Sequence, residues 1–165
     1  MGAYLICANP VQGNVAPMLA AAGHLVERGH RVTVLTGSRF ADDALSAGAR
    51  FRALEGLADY DDRDPALYLP DRERHRGIAR AQYDIQTIFV RPIPDQHRGV
   101  MAAIDADRPD AVVVDSAFGG VAPLLFGTAA RPPVVALGVG PLAQSSRDVA
   151  PTGTALPPSS TPLGR

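Results

Sequence analysis

The amino-acid sequence predicts an α/β fold, with a Rossmann-like parallel β-sheet flanked by helices. Short, continuously apolar runs recur along the chain, as in strands that are buried on both faces. Segments with apolar residues at three- and four-residue spacing lie between these runs, and turn-forming residues separate the two kinds of segment. Such a strand–helix–strand rhythm is typical of a doubly wound sheet with right-handed crossovers. The length of 165 residues fits one compact domain.

The first third of the chain shows this rhythm most clearly. Residues 3–8, AYLICA, are the first predicted strand, and the turn formers NPVQGN follow it. Apolar residues then recur at helical spacing over residues 15–26, and Gly29 stands where a glycine commonly ends a helix. Residues 31–37 are predicted as the second strand and residues 50–54 as the third. Between them we expect a helix over 38–48, capped by Ser38 and ended by Gly48.

The pattern weakens in the middle and returns afterwards. Charges and four prolines interrupt residues 55–98, where only residues 76–89 are predicted as helical. A helix over 95–108 that ends at Pro109, a strand over 110–115, a helix over 119–130 and a strand over 133–139 follow. Residues 142–165 are rich in Pro, Ser, Thr and Gly and lack apolar periodicity, so we expect an extended or mobile tail after a domain of residues 1–141.

Composition restricts the classes of partner. With 16 basic and 17 acidic residues, the chain lacks the charge excess of a nucleic-acid binder or of a protein that binds anionic membranes. The single cysteine, Cys7, lies in an apolar run and is expected to be buried and reduced, which favours the cytoplasm. We see no secretion signal and no apolar run near the roughly 20 residues that a membrane span needs. A soluble cytoplasmic protein is therefore expected.

Ligands of open parallel sheets bind beyond the carboxyl ends of the strands. In this chain the corresponding loops are residues 9–14, 36–39, 115–119 and 138–143. The first loop has one glycine, so it matches neither the dinucleotide-binding G-x-G-x-x-G turn nor the phosphate loop that ends in G-K-[ST]. Direct dinucleotide or triphosphate binding there is not expected. The acidic run DYDDRD, residues 59–64, lacks the spacing of a calcium loop and is interpreted as a solvated surface, so no metal site is predicted.

Two stretches carry a resemblance to a known family. They are NPVQGNVAPMLAAAGHLVERGHRVTVLTG and RPDAVVVDSAFGGVAPLLFGTAARPPVVALGVGP, residues 9–37 and 108–141. Together they resemble the N-terminal half of a GT-B-fold glycosyltransferase of the natural-product, macrolide-type branch, close to the UDP-glycosyltransferases. The resemblance implies a domain that binds a small hydrophobic acceptor. It also implies that a second domain, absent from this chain, binds the UDP- or TDP-sugar donor, so that the chain itself needs no cofactor.

The resemblance also suggests where the reaction takes place. The family pattern at the first turn is G-H-x-x-P, whose histidine takes the acceptor proton while an aspartate orients it. Gly13, Asn14 and Pro17 match this pattern by position, and Asp115 matches the aspartate. Asn14 departs from it, because a carboxamide has no useful basicity and can only position an acceptor hydroxyl.

Both of these residues also have a structural interpretation. Asn14 precedes the predicted helix and is suited to cap it, with Pro17 tolerated in the first turn. Asp115 either caps the SAFGG turn or is the carboxylate that lies near Asn14 and serves as the nearest base. Activity from this chain alone is not expected, and a non-catalytic homologue that binds a partner enzyme, or a homodimer, stays an alternative.

The edge loops and the histidines supply further candidates. The residues expected to contact the acceptor are Pro10, Gly13, Val15, Phe118, Gly138 and Gly140. His24 and His30 lie away from the site edge and are interpreted as structural or solvated. His75 and His97 lie in the irregular middle, where they are either exposed or close enough to approach a substrate.

Overall fold

A computed structural model describes residues 1–140 and shows an α/β fold. Within these residues a five-stranded parallel sheet has the strand order β3-β2-β1-β4-β5. The strands are β1 Ala3–Cys7, β2 Arg31–Thr36, β3 Arg50–Ala53, β4 Ala111–Asp115 and β5 Val134–Leu137. The helices are α1 Gln12–Glu27, α2 Ala41–Ser46, α3 Pro65–Tyr68, α4 Gly77–Ile85, α5 Ile93–Asp107 and α6 Ala122–Phe126. The predicted fold class is confirmed, and the predicted tail lies outside the described residues.

Strand β1 lies at the centre of the sheet and contributes to a core on each face. Leu5 and Cys7 pack in a cluster with Leu54, Val100 and Phe118 on the side of α5. Ile6 and Ala8 pack in a second cluster with residues of α1 and α2 on the opposite side. Alternate residues of a strand point to opposite faces, so a continuously apolar run fills both cores.

Glycines end the first two helices as the sequence predicts. Gly29 and Gly48 have φ of 80° and 76°, in the left-handed region that favours glycine. Their amides donate to the carbonyl oxygens of Val26 and Leu45, at 2.8 and 2.9 Å. The chain can therefore turn sharply into β2 and towards β3.

Two helices differ from the prediction at their ends. Residues 38–40 form a 3₁₀ turn before α2, and Ser38 makes no capping bond to that helix. Instead, the Ser38 amide and hydroxyl donate to Asp59 Oδ1 at 2.7 and 3.0 Å. The helix expected over 119–130 is a 3₁₀ turn, Gly119–Val121, followed by the short α6. Gly127 ends it with an extended backbone conformation.

The middle of the chain is a series of short helical turns that cover the edge of the sheet. The 3₁₀ turns Gly56–Ala58 and Arg72–Arg74 flank α3, and α4 continues into a π-helical turn, Gln86–Val90. The helical prediction for residues 76–89 is confirmed. Within residues 1–140, none of the helices combines the length and apolar character that crossing a bilayer requires.

Candidate active site

The carboxyl ends of β1 and β4 lie side by side at one edge of the sheet. Cys7 pairs with Val114 in the parallel register of these strands, so Asn9 and Asp115 follow the paired ends closely. The Asn9 backbone amide donates to Asp115 Oδ2 at 2.7 Å. This contact joins the turn that precedes α1 to the loop after β4, two of the loops that the sequence predicts at the site.

The structure brings Asn14 and Asp115 together. Asn14 Nδ2 donates to Asp115 Oδ1 at 3.0 Å. Helix α1 begins at Gln12 with Val11 as the N-cap residue, so Asn14 is the third helical residue and makes no capping bond. The prediction that Asn14 caps the helix is therefore wrong. Pro17 was expected in the first turn of the helix, but it lies beyond that turn. Because proline has no backbone N–H, the carbonyl oxygen of Gly13 receives no helical hydrogen bond from residue 17.

Asp115 is buried and fully engaged by donors. Only 1% of the residue is exposed, and its Oδ1 also accepts from the Ala117 amide at 2.7 Å. The bond from Ala117 is the contact expected if Asp115 caps the SAFGG turn. The bond from Asn14 is the contact expected if Asp115 lies near Asn14, so both contacts are present. The buried carboxylate therefore holds the Asn14 side chain in place, and its role as the base stays a prediction.

The hydrogen bond to Asp115 also determines which way the Asn14 amide points. A carboxylate only accepts hydrogen bonds, so the NH₂ group of Asn14 must face it. The carbonyl oxygen on the other side of the amide therefore faces away from Asp115, and Asn14 is half-buried. The site offers an incoming ligand a hydrogen-bond acceptor that has no useful basicity.

A network of buried amide groups connects the loop of Asn9 with α5 and the loop after β4. Gly120 N donates to Gln96 Oε1 at 3.0 Å, and Gln96 Nε2 donates to Asn9 Oδ1 at 2.7 Å. Both Asn9 and Gln96 are completely buried, and a Cβ at Gly120 would lie 2.5 Å from the Gln96 Cβ. Sequence reasoning missed Gln96. Two features of the sequence could have indicated it: a polar residue one turn before the apolar Val100, and a Gly-Gly pair in the loop that contacts α5.

Asn9 retains an unused NH₂ group. Its Nδ2 is buried and has no hydrogen-bond partner among the described residues, and the same holds for the Tyr60 hydroxyl and Thr36 Oγ1. Asn9 follows β1, and Thr36 is the last residue of β2. Unpartnered polar atoms at buried positions are costly and uncommon, so they mark this edge as unusual within the fold.

The acceptor-contact candidates divide into two groups. Val15 and Phe118 are 0% and 4% exposed and pack in the two cores. Pro10 is buried against Gly37, where an added Cβ would lie 2.5 Å from the Pro10 Cβ. Apolar side chains beside the turn are thus buried in this structure, and the contact of these three residues with an acceptor stays a prediction. Gly13, Gly138 and Gly140 are exposed with open space around them, and their role in binding stays a prediction.

The acidic run 59–64 does more than cover the surface with charge. Asp62 Oδ2 accepts from the Gln12 amide at 2.7 Å, at the start of α1, and Asp62 Oδ1 accepts from Arg39 Nε at 2.6 Å. With the bonds from Ser38 to Asp59, these contacts attach the segment to the carboxyl edge beside β1 and β2. The interpretation as a solvated surface is wrong for Asp59 and Asp62, because each satisfies donors of neighbouring loops.

Tyr60 lies between these two attachment points. Its ring stacks on Tyr68, with centroids 4.7 Å apart and an interplanar angle of 23°. Burial raises the pKa of the Tyr60 hydroxyl above its ordinary value, and the charges of Tyr68, Asp62 and Asp115 raise it further. Tyr60 therefore stays protonated, and it lies within electrostatic reach of Asp115. Sequence reasoning missed Tyr60 because only the tertiary contacts bring residues 59–62 to this edge.

A cavity of about 480 Å³ opens beside Tyr60. Its aromatic lining consists of Tyr60, Tyr68 and Tyr83. The Tyr83 ring stacks on His75 at 4.6 Å, and its hydroxyl accepts from the Asp71 amide at 3.2 Å. Asp59, Tyr60 and Asp61 form part of its wall, so the segment that attaches to the edge near Asn14 also lines the cavity.

The four histidines do not meet at the site. His24 is exposed on α1, and His30 Nδ1 accepts from the Gly2 amide at 3.0 Å near the amino ends of the strands. His75 and His97 are half-buried, which corrects the interpretation as exposed residues. His97 Nδ1 donates to the Gly120 carbonyl oxygen at 2.9 Å and so holds the loop after β4 against α5. Residues 1–140 contain no cluster of side chains suited to a metal ion.

Comparisons with known proteins identify the class of protein that has this fold and edge. The glycosyltransferase SsfS6 from Streptomyces sp. SF2575 superposes with a TM-score of 0.59 at 19% identity, over 82% of this chain and 39% of that one. At that identity the match shows the fold, which is the GT-B fold of glycosyltransferases. No protein-family model matches the sequence.

Sequence relatives then give the family. UDP-glycosyltransferase 2 of Phaeomoniella chlamydospora is 35% identical over 98% of this chain. The 4'-demethylrebeccamycin synthase of Lentzea aerocolonigenes is 32% identical over the whole chain. The chain spans 37% and 39% of the lengths of these two relatives. It belongs to the GT-B glycosyltransferases related to UDP-glycosyltransferases and natural-product glycosyltransferases, and the resemblance noted in the sequence is confirmed.

Proposed function

We propose that this chain is the acceptor-binding part of a glycosyltransferase. The complete enzyme would transfer a sugar from a nucleotide-diphosphate sugar to a hydrophobic natural-product aglycone. The observation that carries the proposal is the Asn14–Asp115 pair at the carboxyl edge of the sheet, beside a cavity with an aromatic lining. Ligands of such sheets bind at this edge, so a compound in the cavity would place its reactive group near Asn14.

In this proposal each residue of the edge has a limited role. Asp115 holds the Asn14 amide in one orientation, and the Asn14 carbonyl oxygen accepts a hydrogen bond from the acceptor nucleophile. Asn9 and Gln96 hold the loop of Asp115 in place. The UDP- or TDP-sugar would bind to the remaining part of the enzyme, so this chain alone would bind an acceptor without transferring a sugar.

The absence of a base at Asn14 also supports a second candidate function. A carboxamide cannot take a proton near neutral pH, so the chain would also suit a non-catalytic homologue that binds a partner enzyme. In that case the Asn14–Asp115 bond would serve the fold alone. The two candidates differ in whether the complete protein turns over.

The decisive experiment uses the complete protein with UDP-glucose and TDP-glucose and a panel of aglycones, with products measured by mass spectrometry. We expect a sugar conjugate that requires the nucleotide sugar. The Asp115→Asn variant should lose most of this activity, because its NH₂ group would face the Asn9 amide and the bond that orients Asn14 would lose its charge assistance. Asp105→Asn, at an exposed position on α5, should retain the activity. If no aglycone is converted and a partner glycosyltransferase is activated instead, the auxiliary function is correct.

A further inference from the structure

The walls of the cavity suit a flat ring system. Tyr68 and Tyr83 both line it, and each ring is stacked on a neighbouring ring, Tyr60 and His75 respectively, with interplanar angles of 23° and 22°. Rings held in this way lose little further freedom when a ligand packs against them. Aromatic rings also attract other aromatic rings beyond the gain from buried area. The cavity is therefore prepared for a planar aromatic compound.

One cation on the rim of the cavity is suited to contact an electron-rich ring. Of the lining carboxylates, Asp59 accepts from Ser38, and Asp61 and Asp71 pair with Arg63 and Arg74. Arg91 also lines the cavity, and its guanidinium lies 5.9 Å from the centroid of the Tyr83 ring. In the part of the chain that the structure describes, Arg91 pairs with no carboxylate. The rim thus has one cation whose charge is not neutralised by an ion pair.

The Asn14 amide restricts the nucleophile independently of the cavity. Its carbonyl oxygen can accept a hydrogen bond from an O–H group and cannot remove the proton. An alkyl alcohol is about as weak an acid as water and would need a general base. A phenol resembles the tyrosine side chain, with a pKa of about 10, so about one molecule in a hundred is already ionised at pH 8.

Residues 59–62 connect the cavity with the Asn14 edge. Residues 59–61 form part of the cavity wall, and the next residue, Asp62, accepts from the amide of Gln12 in the same helical turn as Asn14. Tyr60 connects the two regions, since its ring belongs to the wall and Asp115 contributes to the raised pKa of its hydroxyl. A ring in the cavity can therefore direct a substituent towards Asn14.

We infer that the acceptor is a planar aromatic compound that is glycosylated on a phenolic hydroxyl. This inference rests on the proposed function and names its acceptor class. The phenol loses its proton to water, and its oxygen then forms the bond to the anomeric carbon of the nucleotide sugar. The bond between that carbon and the phosphate oxygen breaks, and the nucleoside diphosphate leaves with the electron pair.

Calorimetric titration of the 165-residue chain with two probes tests the ring preference. The probes are 2-naphthol and its saturated counterpart 2-decalol, which share a carbon skeleton and a hydroxyl group. We expect 2-naphthol to bind at least about 10-fold more tightly, since one aromatic pair contributes about 2- to 10-fold and three rings line the cavity. Equal affinity for the two probes, or no binding of 2-naphthol, would overturn the inference without requiring any variant.

Variants locate the binding and test the contact with Asn14. Tyr68→Leu should weaken 2-naphthol about 2- to 10-fold, whereas Tyr4→Leu, on β1 at the far end of the sheet, should not. The wild-type chain should bind 2-naphthol more tightly than 2-methoxynaphthalene, which lacks the hydroxyl donor. Asn14→Ala should reduce this difference in affinity about 2- to 10-fold, which is the effect of one neutral hydrogen bond. An unchanged preference in Asn14→Ala, or equal weakening by both tyrosine variants, contradicts the inference.

The result is separable from that of the proposed function. If the complete enzyme glycosylates alkyl alcohols and ignores phenols, the acceptor class is wrong and glycosyl transfer stands. If 2-naphthol binds as expected and the complete protein transfers no sugar to any acceptor, the aromatic site is real and the proposed reaction fails.

Discussion

Replacement of Asp115 by Asn tests whether the buried carboxylate holds the site together. The carboxylate accepts from the Asn9 amide, the Ala117 amide and Asn14 Nδ2, at 2.7, 2.7 and 3.0 Å. In Asp115→Asn one oxygen becomes an NH₂ group, which must face at least one of these donors. The most favourable orientation keeps the oxygen near Ala117 and Asn14 and turns the NH₂ group towards the Asn9 amide.

The cost of this substitution follows from these contacts. An unsatisfied buried amide costs about 1–3 kcal/mol, and the two bonds that remain lose charge assistance at about 1 kcal/mol each. Removal of a buried charge offsets part of this cost. We therefore expect the free energy of unfolding to fall by about 2–4 kcal/mol. With a urea slope of about 2 kcal/mol/M, the middle of the usual range for small proteins, the midpoint should fall by about 1–2 M.

The assay is urea unfolding of the 165-residue chain followed by circular dichroism at neutral pH. Asp105→Asn, an exposed substitution on α5, is the matched control and should change stability by less than about 0.5 kcal/mol. Asn14→Ala removes one of the three donors and should have a smaller effect than Asp115→Asn. If Asp115→Asn shifts the midpoint no more than Asp105→Asn does, the carboxylate is not the structural centre of the edge.

Three further predictions follow from named contacts. In the complete enzyme, Asn14→His should raise kcat/KM for alkyl alcohols by about 100- to 10,000-fold, because Asp115 can orient a basic imidazole. Asn14→Gln, which adds no base, is the control. If Asn14→His gives no gain, position 14 does not face the nucleophile. Burial raises the pKa of the Cys7 thiol, and the charge of Asp115 raises it further. Iodoacetamide should therefore modify Cys7 only after unfolding. Rapid labelling of the native chain would contradict the position of Cys7 in the core. The hydrogen bond from Arg52 lowers the pKa of Asp107, so its contribution to stability is present above about pH 4 and is lost as the pH falls through the folded-state pKa. Asp107→Asn should therefore make the urea midpoint less sensitive to pH between about pH 5 and 2. If Asp107→Asn and Asp105→Asn show the same dependence on pH, the ion pair of Arg52 with Asp107 is not the source of the acid sensitivity.

Local patterns in the sequence were sufficient for the sheet, and the resemblance to GT-B glycosyltransferases indicated one pair of site residues. The apolar runs of β1, β2 and β4 must be buried on both faces, which a parallel sheet between helices achieves. Once the strands are parallel and adjacent, the ends of β1 and β4 lie together, and the expected meeting of Asn14 and Asp115 follows. Gly29 and Gly48 were predictable because the left-handed conformation strongly favours glycine.

The roles of individual side chains were less predictable. Val15 and Phe118 lie next to the turns of the site in sequence, yet they fill the cores. Asn14 was expected to cap α1, but the helix begins two residues earlier and a carboxylate about 100 residues away takes its amide. Capping preference is a local effect of about 1 kcal/mol, and a buried carboxylate that needs donors can override it.

The sequence by itself determined the fold class, the edge at which ligands would collect and the absence of a base at position 14, since these depend on residue type and periodicity. Only the tertiary structure decided that residues 59–62 return to that edge, that Tyr60, Tyr68 and Tyr83 line one cavity, and that Gln96 supports Asn9. The middle of the chain has no periodicity to indicate its position. Its place is set by pairing between distant groups, such as Asp62 with Gln12, and such pairing leaves no signal in the local sequence.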